Sequence, residues 1–200
     1  MTKSAELIVD VVSPNAYLMF GPLLDVVRRR NARLEVTPIF LGGLHKLTGH
    51  APPFVRDAGV RGKNDYAMLE LRRFREKHGL SRFRMNAAFP MNTITVQRMM
   101  CAAADEGRAE AFAELALRLV WEEDRDVSRD DVLLAALEGT EFDGPTLLER
   151  ARTDAVKARL VAQTQNAADR KVFGVPTVFV GDEMFFGKER LAQIDEELAS

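Results

Sequence analysis

Apolar residues follow two different periods along this chain, and the change from one to the other marks its organisation. Leu7-Ile8-Val9-Asp10-Val11-Val12 is a short, β-branched and nearly continuous apolar run, the pattern of a strand buried on both faces of a parallel sheet. Ser13-Pro14 ends it. Serine favours the N-cap and proline the first helical position, so a helix is predicted from here through Leu18, Leu23, Leu24 and Val27 to about Asn31. Leu34 to Leu41 reads as a second strand, which Pro38 places at a sheet edge or a bulge. Strand, helix and strand over so short a span imply a right-handed βαβ unit.

From Gly42 to Gly62 the chain is rich in Gly, Pro and His and reads as a long loop. Beyond it the period is helical: Tyr66 to His78, Thr93 to Glu106, Arg108 to Asp124, Ser128 to Leu137, a helix started by Pro145, and Thr153 to about Val172. Ser128-Arg-Asp-Asp131 has the form of a capping box with Asp in place of Glu. The period then switches again. Thr177–Val180 and Met184–Phe186 read as two short strands around Gly181-Asp182, and Lys188 to Leu198 as a last helix. Neither flank buries a sheet alone, so the βαβ and ββα halves are expected to share one. The fold class this predicts is α/β and thioredoxin-like: residues 1–62 and 174–200 form a discontinuous thioredoxin-like domain, and residues 63–173 an inserted all-helical subdomain.

Composition narrows the function classes. The 200 residues carry 28 Lys plus Arg against 30 Asp plus Glu, a net charge of -2, with 46% hydrophobic residues. That describes a globular chain with no electrostatic footprint for nucleic acid or an anionic membrane surface. The amino terminus lacks a basic stretch followed by a long apolar one, and Ala111 to Trp121, interrupted by Glu114 and Arg118, falls short of the roughly 20 residues a membrane span needs. Cys101 is the sole cysteine, so no internal disulfide forms, which fits a reducing cytoplasm. Flanked by Met99, Met100 and Ala102, it reads as a small buried hydrophobe. His45, His50 and His78 lack ligand spacing with acidic partners, and no metal site is expected.

Two segments carry candidate chemistry. At Ser13-Pro14-Asn15-Ala16-Tyr17 a buried strand hands over to a helix, so the Ser13 hydroxyl lies beside free N–H groups at the positive end of a helix dipole. That environment favours a thiolate or another anion; a plain N-cap uses the same residues. Gly174-Val175-Pro176-Thr177 opens a strand, and a cis Val175–Pro176 bond there would leave the Val175 backbone groups free to pair with an extended peptide.

Together these segments make the chain resemble the 2-hydroxychromene-2-carboxylate isomerases and kappa-class glutathione transferases of the DsbA-like thioredoxin superfamily. The resemblance runs end to end, through Ser13 to Tyr17, Leu41 to Lys46, Gly49 to Pro53, Lys63 with Tyr66, Phe89 to Thr93, Gly174 to Thr177 and Phe186-Gly-Lys-Glu-Arg-Leu191. It implies an enzyme that uses glutathione as cofactor, with Ser13 as the catalytic residue where redox relatives keep a cysteine. Glutathione contacts are implied at Ser13, His50, Lys63, Asn92, Val175, Pro176, Lys188 and Glu189. At three of these positions, His50, Lys188 and Glu189, the chain departs from the family's common residues. Tyr17, Phe20, Leu44 and Phe54 are candidates to line the pocket of an aromatic small-molecule substrate, or else are core. The implied reaction interconverts 2-hydroxychromene-2-carboxylate and trans-o-hydroxybenzylidenepyruvate in aromatic degradation. Glutathione transfer to hydrophobic electrophiles, or thiol or peptide binding without chemistry, remain as alternatives. Family members commonly form homodimers.

Overall fold

The structure, a computed structural model, describes residues 3–200. Its one sheet has four strands, β1 (Ser4–Val9), β2 (Arg33–Pro38), β3 (Thr177–Val180) and β4 (Glu183–Phe186), in the order β2-β1-β3-β4. β1 runs parallel to β2 with Leu7 opposite Val36, and antiparallel to β3 with Ile8 opposite Thr177. β3 and β4 form the hairpin around Gly181. The βαβ and ββα halves therefore share one sheet in the α/β thioredoxin-like arrangement, and β2 with its Pro38 lies at the edge, where the missing N–H costs no ladder bond.

Helix α1 (Pro14–Arg29) starts as the sequence predicts: Ser13 is extended, its side chain accepts from the Ala16 N–H, and Pro14 takes the first turn. Its apolar face, from Ala16 to Val27, is buried, and Arg29 and Arg30 at its far end both pair with Asp195. Between β2 and β3 come α2 (Leu41–Thr48), α3 (Pro53–Arg56), α4 (Lys63–Lys77), α5 (Ile94–Ala104), α6 (Ala109–Trp121), α7 (Asp130–Leu137), α8 (Gly144–Ala151) and α9 (Asp154–Asp169). A 3-10 turn at Lys188–Arg190 leads into α10 (Leu191–Ala199). Among the described residues, no helix is long and apolar enough to cross a membrane.

Three sequence expectations are corrected. The Gly42–Gly62 segment is not a continuous loop but holds α2 and α3. Two of its glycines sit in close packing: a Cβ on Gly42 would stand 3.0 Å from the Phe40 ring, and one on Gly43 would stand 3.3 Å from that ring and 3.4 Å from Thr164 on α9. The first strand ends at Val9 rather than Val12, because Asp10 turns the chain out of the sheet. Ser128 caps nothing; its hydroxyl bonds Asp126, and α7 starts after Arg129 without a side-chain cap.

The principal apolar core joins β1 and α1 to α5, α6, α8 and α9, with Trp121, Phe112, Leu18 and Met99 among its fully buried members. A second cluster, containing Ile8, Ile39, Leu44, Val172 and Val175, packs the other face of the sheet.

Candidate active site

The site forms where β1 ends. Asp10, completely buried, accepts at Oδ1 from the Val12 N–H (3.1 Å) and the Thr93 hydroxyl (2.7 Å), and at Oδ2 from the Leu41 N–H (2.8 Å). Its carbonyl accepts from the Ser13 N–H at 3.1 Å. Burial pushes the Asp10 carboxyl up to about 6, against the opposing pull of the donors from Leu41, Thr93 and Val12. The buried Trp121 indole donates to the Val11 carbonyl at 2.8 Å, and Gln97 donates to the carbonyls of Val9 and Ile39 at 2.8 and 2.7 Å. The turn that presents Ser13 is thus anchored from α5, α6 and the start of α2.

Opposite it stands the segment before β3. Val175–Pro176 is cis, as is Phe89–Pro90. The Ser13 hydroxyl donates to the Val175 carbonyl at 3.2 Å while accepting from the Ala16 N–H at 3.3 Å. The N–H groups of Val175 and of Asn15, in the first turn of α1, have no partner among the described residues. A hydroxyl, a helix start and an extended carbonyl and N–H therefore converge on one spot. That set pairs with an extended peptide through its backbone and offers its sulfur a donor and a positive dipole.

The structure brings some of the remaining sequence candidates toward this spot and not others: the lining of the cleft that holds Tyr17 and Phe20 includes neither Ser13 nor Val175. Gly187 donates its N–H to the Pro176 carbonyl at 3.0 Å, which brings Lys188 and Glu189 to the same end of the sheet. Lys188 is buried, pairs with Glu189 and lies 5.4 Å from the centre of the Phe74 ring. With Glu70, Arg73 and Lys77 these residues line a cavity of about 290 Å³. His50 packs edge-on against His45 (5.4 Å between ring centres) and Phe173 (5.7 Å), two residues before Val175. Burial and the neighbouring His50 lower the His45 pKa.

Lys63 opens α4 and bonds Asp57 at 3.0 Å. Asp57, held first by Arg56 and then by Lys63, lies well below the usual carboxylate range. Asn92 uses its side-chain oxygen on the Ile94 N–H at 2.9 Å.

Tyr17 and Phe20 line a cleft of about 720 Å³ between α1 and α6. The Tyr17 hydroxyl donates to Glu122 at 2.8 Å, and Arg82 pairs with the same carboxylate at 2.9 Å. Burial first, then Glu122, push the Tyr17 phenol far up. Phe54 is exposed and joins this side through a run of rings, Phe54–Phe89–Trp121–Phe83–Tyr17, with centres 5.5 to 5.8 Å apart. Leu44 instead lies fully buried in the second core cluster. Sequence reasoning missed Asp10, Trp121 and Glu122; the one available signal was a lone carboxylate interrupting the apolar run of β1.

A family model described as a DSBA-like thioredoxin domain matches residues 6–199. The 2-hydroxychromene-2-carboxylate isomerase of Pseudomonas putida is 28% identical over 192 residues, covering 94% of this chain and 91% of that protein. Glutathione S-transferase kappa 1 of Rattus norvegicus is 26% identical over 200 residues, covering 93% and 86%. A solved structure of a 2-hydroxychromene-2-carboxylate isomerase superposes with a TM-score of 0.84 at 25% identity, covering 98% of this chain and 94% of that one.

Proposed function

This chain belongs to the DSBA-like thioredoxin family, and on that premise we propose that it is a glutathione-dependent isomerase that interconverts 2-hydroxychromene-2-carboxylate and trans-o-hydroxybenzylidenepyruvate. The reading is supported by the relatives of that name and by the pairing of Ser13 with Val175. The pairing is the observation that carries it. In the present geometry the Ser13 hydroxyl gives its hydrogen to the Val175 carbonyl. A cysteinyl peptide laid antiparallel to Val175 would supply its own N–H to that carbonyl and accept from the free Val175 N–H. Ser13 would then be released to donate to the sulfur, with the Asn15 N–H and the α1 dipole adding to the stabilisation of a thiolate. Bound glutathione would supply a nucleophilic sulfur that adds reversibly to a conjugated carbon and so permits rotation about the former double bond.

The charged set at Lys188, Glu189, Glu70 and Arg73 offers both signs to a zwitterionic end of such a peptide, and His50 flanks its other side. Tyr17, Phe20 and Phe54 would face the aromatic substrate. In this scheme residues 1–62 and 174–200 hold the thiol, and residues 63–173 cover it and add the charged side chains of α4. The enzyme would act in the cytoplasm as a homodimer. Disulfide exchange between paired cysteines is excluded, since Ser13 and Ala16 are not cysteines and the only cysteine of the sequence, Cys101, lies buried on α5. The kappa-class relative supports transferase activity as the alternative, with the same thiolate and release of the adduct.

The test is glutathione titration by calorimetry, with absorbance-monitored turnover of 2-hydroxychromene-2-carboxylate, for wild type and Ser13→Ala. Glutathione-dependent isomerisation lost in Ser13→Ala supports the reading. Turnover without glutathione, or undiminished in the variant, overturns it. Binding with no turnover leaves a binding module.

A further inference from the structure

The chemistry above leaves Asp10 without a part, although it is the most constrained polar group near the site. Its carboxylate is fully buried and makes no ion pair among the described residues. An ionised carboxylate in that position is unfavourable unless donors surround it. Here three neutral donors do so, each from a different segment: Val12 of the Ser13 turn, Leu41 at the start of α2, and Thr93 just before α5. Every contact already brings its own hydrogen. A proton added to the carboxyl removes the charge that strengthens all three contacts, and on Oδ1, which already accepts from both Val12 and Thr93, it takes the place of one of them or turns the Thr93 hydroxyl to accept. Leu41 and Thr93 belong to helix starts, whereas Val12 sits in the tight turn directly before Ser13.

We propose that Asp10 is a positioning residue: its ionised carboxylate holds the Val12-Ser13 turn in the geometry that aims Ser13 at the thiol, and protonation releases the turn. This rests on the reading of Ser13 as the thiol-binding residue and adds a pH dependence to it. Among the described residues no chargeable side chain on the surrounding elements makes a hydrogen bond or ion pair to Asp10, neither Glu6 on β1, Tyr17 on α1, Glu35 on β2, His45 on α2 nor Arg98 on α5. The group facing it from each element is a neutral donor. Burial sets its titration near 6, so the site weakens as pH falls through that value.

Two readouts separate this inference from the reading beneath it. In the ligand-free protein, the amide NMR signals of Val12, Ser13 and Leu41 should shift together with a midpoint near 6, and Asp10→Asn should abolish the shift. In parallel, glutathione affinity measured by calorimetry from pH 5 to 8 should drop roughly 10-fold across the same midpoint, the loss expected when one hydrogen bond to a charged group is broken. Asp10→Asn, which places an amide hydrogen where the carboxylate accepts, should bind weakly at every pH with no inflection near 6. If Asp10→Asn fails to fold, Thr93→Val serves instead, because removing one donor to the carboxylate should move the midpoint upward. Amides that pass from pH 5 to 7 unshifted, an unmoved midpoint in Thr93→Val, or an affinity profile shared by wild type and Asp10→Asn would each overturn the proposal. Titrating amides with no glutathione binding at any pH would instead sink the thiol-binding reading while the coupling of Asp10 to the turn stands.

Discussion

Ser13 and Val175, separated by 162 positions in the chain, are joined by a hydrogen bond of 3.2 Å from the serine hydroxyl to the valine carbonyl. That bond closes the sheet end of α1 against the segment before β3. It also explains why one hydroxyl has two structural duties, since the same oxygen caps α1 by accepting from Ala16.

Ser13→Ala should therefore lose stability as well as activity. Removing a serine cap costs about 1 kcal/mol, which for a chain of this size lowers Tm by roughly 2–4 °C. Calorimetric melting checks this, and an unchanged Tm would show that neither bond contributes.

Trp121→Phe should be destabilised by about 1–3 kcal/mol, because the buried Val11 carbonyl loses the only side-chain donor it has among the described residues and the smaller ring leaves space in the core. Urea denaturation should show a lower midpoint at an unchanged slope. A midpoint equal to that of wild type would mean that the Val11 carbonyl finds another donor.

Burial pushes the Cys101 thiol up to about 12, so it should stay unreactive in the folded protein. An Ellman-type reagent at pH 8 should titrate no thiol in buffer and one per chain in guanidinium chloride, and Cys101→Ala should retain turnover. Rapid labelling of the native protein would contradict the buried placement on α5.

Asp195 should contribute to stability in an acid-sensitive way. The Arg30 hydrogen bond, opposed by burial and joined by Arg29, lowers its carboxyl from 3.8 to about 2. A carboxyl whose folded pKa lies below its unfolded one adds stability above the unfolded value and loses it as pH falls through the folded value. Asp195→Asn should thus be less stable than wild type between pH 5 and 7, and the two should converge near pH 2. Denaturant melts across that range would reveal it. A gap persisting at the acid end would assign the loss to packing instead.

How much was legible depends on how local each signal is. The cap at Ser13, the proline at the head of α1, the edge placement of β2 from Pro38 and the β3–β4 hairpin each rest on residues within a few positions of one another, and all appear as expected. The glycines at 42 and 43 misled because glycine breaks helices by its freedom but admits close packing by its lack of a side chain, and only the nearness of Phe40 and Thr164 shows which property is in use. Leu44 was ambiguous for the same reason: an apolar residue lines a pocket or fills a core according to what is folded over it, and here Ile8, Ile39 and Val172 surround it.

Outside residues 42–62 the sequence by itself determined the element types, and with them the βαβ and ββα halves and the two segments that meet at the site, because period, caps and prolines act through neighbouring backbone. Only the tertiary structure decided that Asp10 is the anchor of the Ser13 turn and that Lys188 is buried beside Phe74. Their partners, Leu41 and Thr93 for one and α4 for the other, come into reach only when distant segments pack, and for Asp10 burial among those partners raises the carboxyl pKa.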